Sequence, residues 1–179
     1  MPTDLCTVGV DTGLTGAISI DCGRLLCVYD IPVVPVKRGR TARMRVDAEA
    51  LHRLSVHISL LGVDCICIED VWGVRGQGAG PAFAFGEGAG RVPQAFTGAG
   101  VGPRIQLVSA QRRKAAMAVP ADKSRALEMV RGMWPGHAHY FRRQKDHGRA
   151  ESALIARYAQ RLVKPRGAHI TGATELRAM

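Results

Sequence analysis

Residues 5–13 read LCTVGVDTG. The run is short, apolar and rich in β-branched residues, and it ends in Asp-Thr-Gly. It therefore reads as a buried strand closed by a tight turn. Downstream, residues 17–21 (AISID) and 25–34 (LLCVYDIPVV) predict two further strands, with Asp21-Cys22-Gly23-Arg24 as the hairpin turn between them. Pro32 and Pro35 predict that the third strand ends at a sheet edge. Residues 37–45 then read as a basic loop. Asp47 has the character of a helix N-cap, and Leu51, Leu54, Ile58 and Leu61 recur at helical spacing. Residues 48–61 are thus expected to form a helix that Gly62 stops. Residues 64–70 (DCICIED) are a continuous apolar run the size of a central parallel strand. The first half reads β-β-β-α-β.

Residues 71–102 hold ten glycines. They predict a flexible loop at 73–80 and then a closely packing helix of small residues around Phe83 and Phe85. Residues 104–109 (RIQLVS) predict a fifth strand, 114–117 a helical turn and 122–133 a full helix. A polar, basic stretch covers 142–148. A last helix over 150–163 carries Leu154, Ile155, Tyr158 and Leu162 on one side, and Pro165 ends it. The final dozen residues read as a frayed tail. Three strands, a helix, a parallel strand and further helices predict an α/β fold, a mixed sheet with helices on its faces.

The chain has 179 residues, enough for one domain with one core, and 46% of them are apolar. No run of ~18 uncharged apolar residues is present, so no membrane span is expected. The first residues lack the basic-then-apolar pattern of a secretory signal. The five cysteines lack zinc-site spacing and read as buried, reduced thiols, which predicts a cytosolic setting without disulfides. Lys and Arg number 25 against 15 Asp and Glu, a net charge of +10. Between residues 104 and 166 there are 15 basic and 4 acidic residues. A surplus so concentrated points to a polyanionic partner, nucleic acid above all, against the alternative of a generally basic soluble protein.

Asp11 and Glu69 each end an otherwise apolar strand. Buried carboxylates need a partner or a metal. If the two strands are neighbours, ~4.8 Å apart, both carboxylates can share one cation at the sheet edge where open α/β folds place their sites. The alternatives are a turn-forming role for Asp11 and an arginine partner for Glu69. A third acidic site lies in residues 145–151 (KDHGRAE). Glu151 shares the buried side of the last helix with Leu154, Ile155 and Tyr158. Asp146 is ~140° from it around an ideal helix, so it reaches the same site only from the turn before the helix. His147, four residues before Glu151, would face the same way. An N-cap role for Asp146 and a first-turn charge for Glu151 are the alternatives. Four carboxylates from two strand ends and one helix make a two-metal site, and hard oxygen donors select Mg²⁺ or Mn²⁺. Two such ions hydrolyse phosphodiesters by activating water and stabilising the leaving oxygen.

The order VGVDTG, IED, KDHGRAESALIA resembles the RuvC family of Holliday-junction resolvases, most of all the short versions carried by phages. The resemblance covers residues 5 to about 163, and its most specific part is KD-x-GRAE before an apolar helix. It implies an RNase H-like mixed five-stranded sheet flanked by helices, with one nuclease domain over 1–166 and a basic tail over 167–179. It also implies a homodimer that cuts four-way DNA by paired symmetric nicks in recombination and repair, with Mg²⁺ as cofactor (Mn²⁺ substituting), two ions per site. Asp11, Glu69 and Glu151 match the family's acids. The fourth lies three residues before the last acid in bacterial members, here Gly148. Phage-like members use the aspartate of the Lys-Asp pair, so Asp146 is the first choice and His147 the second. Lys114 matches a basic residue near the scissile phosphate. The resemblance places a tryptophan just before that lysine, where this chain has Arg113. Trp72 matches an aromatic that stacks on opened bases. Arg112, Arg113, Lys145 and Arg149 are the remaining DNA-binding candidates.

Other readings are a flap or fork debranching nuclease of the same fold, and a junction-binding protein that does not cut. Sugar-kinase and actin-like ATPases also open with Asp-Thr-Gly, but they need a second such unit that 179 residues do not hold.

Overall fold

The computed structural model describes residues 5–73, 76 and 78–163. The expected loop at 73–80 lies partly, and the tail at 167–179 wholly, outside the described residues. Strands β1 (Thr7–Val10), β2 (Ala17–Cys22) and β3 (Leu25–Asp30) form an antiparallel meander. A separate hairpin, β4 (Val33–Arg38) and β5 (Thr41–Val46), precedes helix α1 (Ala48–Ser59). Strand β6 (Cys65–Asp70) pairs parallel to β1. Helix α2 (Ala79–Phe96) leads through short turns to β7 (Ile105–Ser109), parallel to β6. Helices α3 (Ala110–Met117), α4 (Lys123–Met133) and α5 (His147–Ala159) complete the chain. The sheet order is β3-β2-β1-β6-β7. This is the RNase H-like mixed five-stranded sheet flanked by helices, as expected.

Strand parity divides the core into two layers. Val8, Val10, Ile18, Ile20, Ile66 and Ile68 pack on one face with Leu51 and Ile58 of α1 and Val92 and Phe96 of α2. Ala17, Cys65, Cys67 and Val108 face the other way, against Leu127 and Val130 of α4 and Leu154, Ile155 and Tyr158 of α5. Asp47, Ser109 and Asp122 cap α1, α3 and α4, each side chain accepting a backbone N–H of its first turn.

Three expectations are corrected. The strand expected over 25–34 stops at Asp30, because β2 begins at Ala17, opposite Asp30, and offers no further partner. Pro32 has no N–H to extend a ladder. Residues 33–38 instead pair with 41–46, so the expected basic loop at 37–45 is mostly strand. Cys6 and Cys22 are not free thiols but form a disulfide. The pairing of Thr7 with Asp21 sets residues 6 and 22 opposite each other, a consequence of register that sequence spacing does not reveal. The redox argument for a cytosolic setting therefore does not hold for this pair. Cys27, Cys65 and Cys67 remain free, and burial pushes the Cys65 thiol up to about 11 and Cys67 to about 12. Among the described residues no helix is long and apolar enough to cross a membrane.

Candidate active site

Asp11 follows β1 directly, and the register that pairs Val10 with Ile68 sets Asp11 opposite Glu69 of β6. Both have the parity of the α5 face, Asp11 with Thr7 and Gly9, Glu69 with Cys65 and Cys67. Helix α5 lies almost on the backbone of β1. A β-carbon at Gly9 would collide with the backbone of Ser152, Ile155 and Ala156. The Thr7 hydroxyl donates to the Ala156 carbonyl at 2.8 Å, and the Ser19 and Ser152 hydroxyls meet at 2.7 Å. This close seat brings Glu151, in the second turn of α5, over the strand ends. Asp11, Glu69 and Glu151 line one open cavity of about 490 Å³, together with Thr15, Lys114, Lys123, Lys145 and His147. Lys123 and Thr15 escaped the sequence reading. The only signal for Lys123 was the general basic surplus of that half of the chain.

Burial, then the neighbouring charge of Glu69, pushes the Asp11 carboxyl up to about 6, against a partly offsetting hydrogen bond from the Gly13 N–H at 3.3 Å. Lys114 Nζ is 3.1 Å from a Glu151 carboxylate oxygen.

Arg113, expected at the DNA surface, is fully buried. Its guanidinium bridges the two glutamates, 3.2 Å to Glu69 and in close contact with Glu151. The alternative of an arginine partner for Glu69 is thus the arrangement seen. Arg112 is exposed, and Lys145 is exposed at the cavity rim. Arg149 grips Asp30 with two hydrogen bonds of 2.6 and 2.5 Å, so its charge is already met. That contact holds the Asp30 carboxyl below the usual range.

Asp146 and His147 part company. His147 lines the cavity, whereas Asp146 does not and is 3% exposed. The Asp146 carboxylate accepts from Arg143 three times, from the backbone N–H at 2.8 Å, Nε at 2.9 Å and NH2 at 2.7 Å. Burial alone would raise its pKa, but these contacts together hold it below the usual range. Gly148 carries no acid for a steric reason, because a β-carbon there would strike the Thr15 carbonyl. Trp72, just beyond β6, is 78% exposed, and its indole N–H donates to Asp70 at 3.3 Å.

In kind, the donors suit a hard divalent cation: three carboxylates and an imidazole around a cavity, one carboxylate with a raised pKa. In placement, among the described residues no three His, Cys, Asp or Glu side chains form a ready coordination group. Arg113 holds the position between the two glutamates.

No protein-family model and no curated protein matches the chain. Solved structures do. The chain is similar to T. thermophilus RuvC in complex with a Holliday junction substrate, with 16% identity, 88% of this chain and 96% of that chain covered, and a TM-score of 0.58. It is also similar to a further Thermus thermophilus RuvC structure, with 18% identity, the same coverage and a TM-score of 0.50. At these identities the likeness shows the fold.

Proposed function

We propose that this protein is a divalent-metal-dependent endonuclease that cuts four-way DNA junctions by paired symmetric nicks, of the short type carried by phages. One observation carries the reading. Asp11 and Glu69, from neighbouring parallel strand ends, share a cavity with Glu151 of α5 and a rim of lysines, on a fold similar to that of a junction-bound RuvC.

In this reading Asp11, Glu69, Glu151 and His147 hold Mg²⁺ or Mn²⁺, with His147 taking the place first given to Asp146. The bound ion supplies Lewis-acid activation of a water and charge stabilisation at the leaving oxygen. Lys114, at the cavity wall, and Lys145 and Lys123, at its rim, hold the phosphate at the reacting position. Exposed Trp72 stacks on bases opened at the junction centre. The β4–β5 hairpin starts beside the Asp11–Gly16 turn, where the Ile31 N–H donates to the Gly16 carbonyl at 3.0 Å. Among the described residues its Lys37, Arg40 and Arg43 form no ion pair, so their charge is available to a DNA arm. Two symmetric nicks need two sites at fixed spacing, which a two-fold homodimer supplies.

The test is a labelled immobile four-way junction beside linear duplex and a 5′ flap, each with Mg²⁺, comparing wild type with Asp11→Asn. Paired nicks in the junction alone, lost in the variant, are expected. Equal cutting of flaps and forks would make the protein a general debranching nuclease. Tight binding without cutting in Mg²⁺ or Mn²⁺ would make it a junction-binding protein.

A further inference from the structure

Helix α3 starts the moment β7 ends. Ser109 closes the strand and accepts the Arg112 N–H at 3.3 Å, and Ser109 is in register with Asp70 of β6. Residue 113 therefore arrives one turn into the helix, directly above Glu69. The resemblance to RuvC proteins places a tryptophan here; this chain places an arginine that is fully buried.

A buried guanidinium needs strong compensation for lost hydration. Here one nitrogen, NH2, supplies it through both glutamates, while Nε and NH1 have no hydrogen-bond partner. The side chain is thus committed to the carboxylate pair and to nothing else. Arginine does not lose its proton in a protein, so this is a permanent positive charge. It stands between Glu69 and Glu151, where it competes with an added cation for both carboxylates. The charge balance points the same way. Asp11, Glu69 and Glu151 face Arg113, Lys114, Lys123 and Lys145, so the carboxylates are already compensated before any metal arrives and a second divalent ion adds charge that nothing in the site offsets.

We propose that Arg113 is a built-in cation that takes the place of one of the two metal ions, so that the site binds a single divalent ion with Asp11 among its ligands. Arg113 is then a positioning residue: it holds Glu69 and Glu151 together before any metal arrives and neutralises part of their charge afterwards. The proposal rests on the metal-dependent reading above and fixes its stoichiometry.

The experiment is calorimetric titration of Mn²⁺ into the full chain, with free Mn²⁺ counted by electron paramagnetic resonance. Wild type, Arg113→Lys, Arg113→Met and Asp11→Asn are compared. One ion per chain is expected in wild type, lost in Asp11→Asn and retained in Arg113→Lys. In Arg113→Met a second ion is expected, with at least tenfold tighter binding of the first. Two ions per wild-type chain, both sensitive to Asp11→Asn, would overturn the role of Arg113 and leave the metal-dependent reading intact. No Mn²⁺ bound by any form would overturn both. A wild-type count of two overturns the role of Arg113 even if Arg113→Met does not fold.

Discussion

The backbone of Ala156 in α5 lies over Gly9 of β1 so closely that no side chain fits between them. This contact joins the strand that ends in Asp11 to the helix that carries Glu151, two elements far apart in sequence. Gly9→Ala forces the helix off the sheet. Overpacking of this kind costs roughly 1–3 kcal/mol. A melting temperature several degrees lower is expected, together with weaker Mn²⁺ binding as Glu151 moves away from Asp11. Thermal melts and a Mn²⁺ titration check both. An unchanged melting temperature would show that the helix can shift at little cost.

Asp11 sets a pH dependence. Its carboxyl is raised from 3.8 to about 6 in the fold, first by burial and then by Glu69. The folded protein therefore holds this proton more tightly than the unfolded chain does. The stability this gives is full below about pH 4 and is lost as pH rises to about 6. At neutral pH the metal-free protein carries a penalty of about 2 kcal/mol, at about 1.4 kcal/mol per pH unit with a discount for partial solvent access. In EDTA, Asp11→Asn is expected to melt higher than wild type at pH 7 and equally at pH 4. Denaturant melts across pH 4–7 measure it. A stabilising loss of a proposed metal ligand is the cost of function made visible.

Asp146 and His147 separate structure from ligation. Asp146→Asn strips the charge from three contacts to Arg143 in a buried place, which costs about 1–3 kcal/mol, and Mn²⁺ affinity is expected to stay as in wild type. His147→Ala is expected to do the reverse, lowering Mn²⁺ affinity with little change in melting temperature. Parallel melts and titrations of the two variants distinguish them. If Asp146→Asn weakens Mn²⁺ binding while the fold is intact, the fourth ligand is Asp146 after all.

Trp72 is exposed, whereas Trp134 is buried with Arg157 stacked 4.8 Å from its ring centre. Junction DNA is therefore expected to quench the emission of Trp72 alone. Trp72→Ala should weaken junction binding by roughly 1–3 kcal/mol, about fivefold to 150-fold, without moving the melting temperature. Fluorescence titration of Trp72→Phe, which leaves only Trp134, should show no quenching.

In the proposed reading the β4–β5 hairpin contacts a DNA arm, and reversing Lys37 and Arg40 to glutamate removes two phosphate contacts. The slope of log affinity against log salt is then expected to shrink by about 2. Binding isotherms at several salt concentrations give that slope directly. An unchanged slope would place the hairpin away from DNA.

Much of this molecule was legible in the linear chain, because short-range physics dictates it. The apolar runs of β1 and β6, the helical spacing and the Asp47 cap of α1, and the amphipathic α5 all follow from periodicities of two and 3.6 residues. So does the placement of Asp11 and Glu69 at strand ends, since an acid interrupting an apolar run must lie where the run leaves the core. What tertiary structure alone decided were relations across the chain. Register set Cys6 against Cys22, and it left residues 33–46 without a partner in the main sheet, so that they paired with each other. The identity of a side chain's partner was equally invisible. Arg113 and Arg149 look like surface cations in sequence, yet one is sealed between Glu69 and Glu151 and the other is closed on Asp30. Charge is a property of the residue, but whether that charge meets solvent, a phosphate or a buried carboxylate depends on which distant segments pack against it.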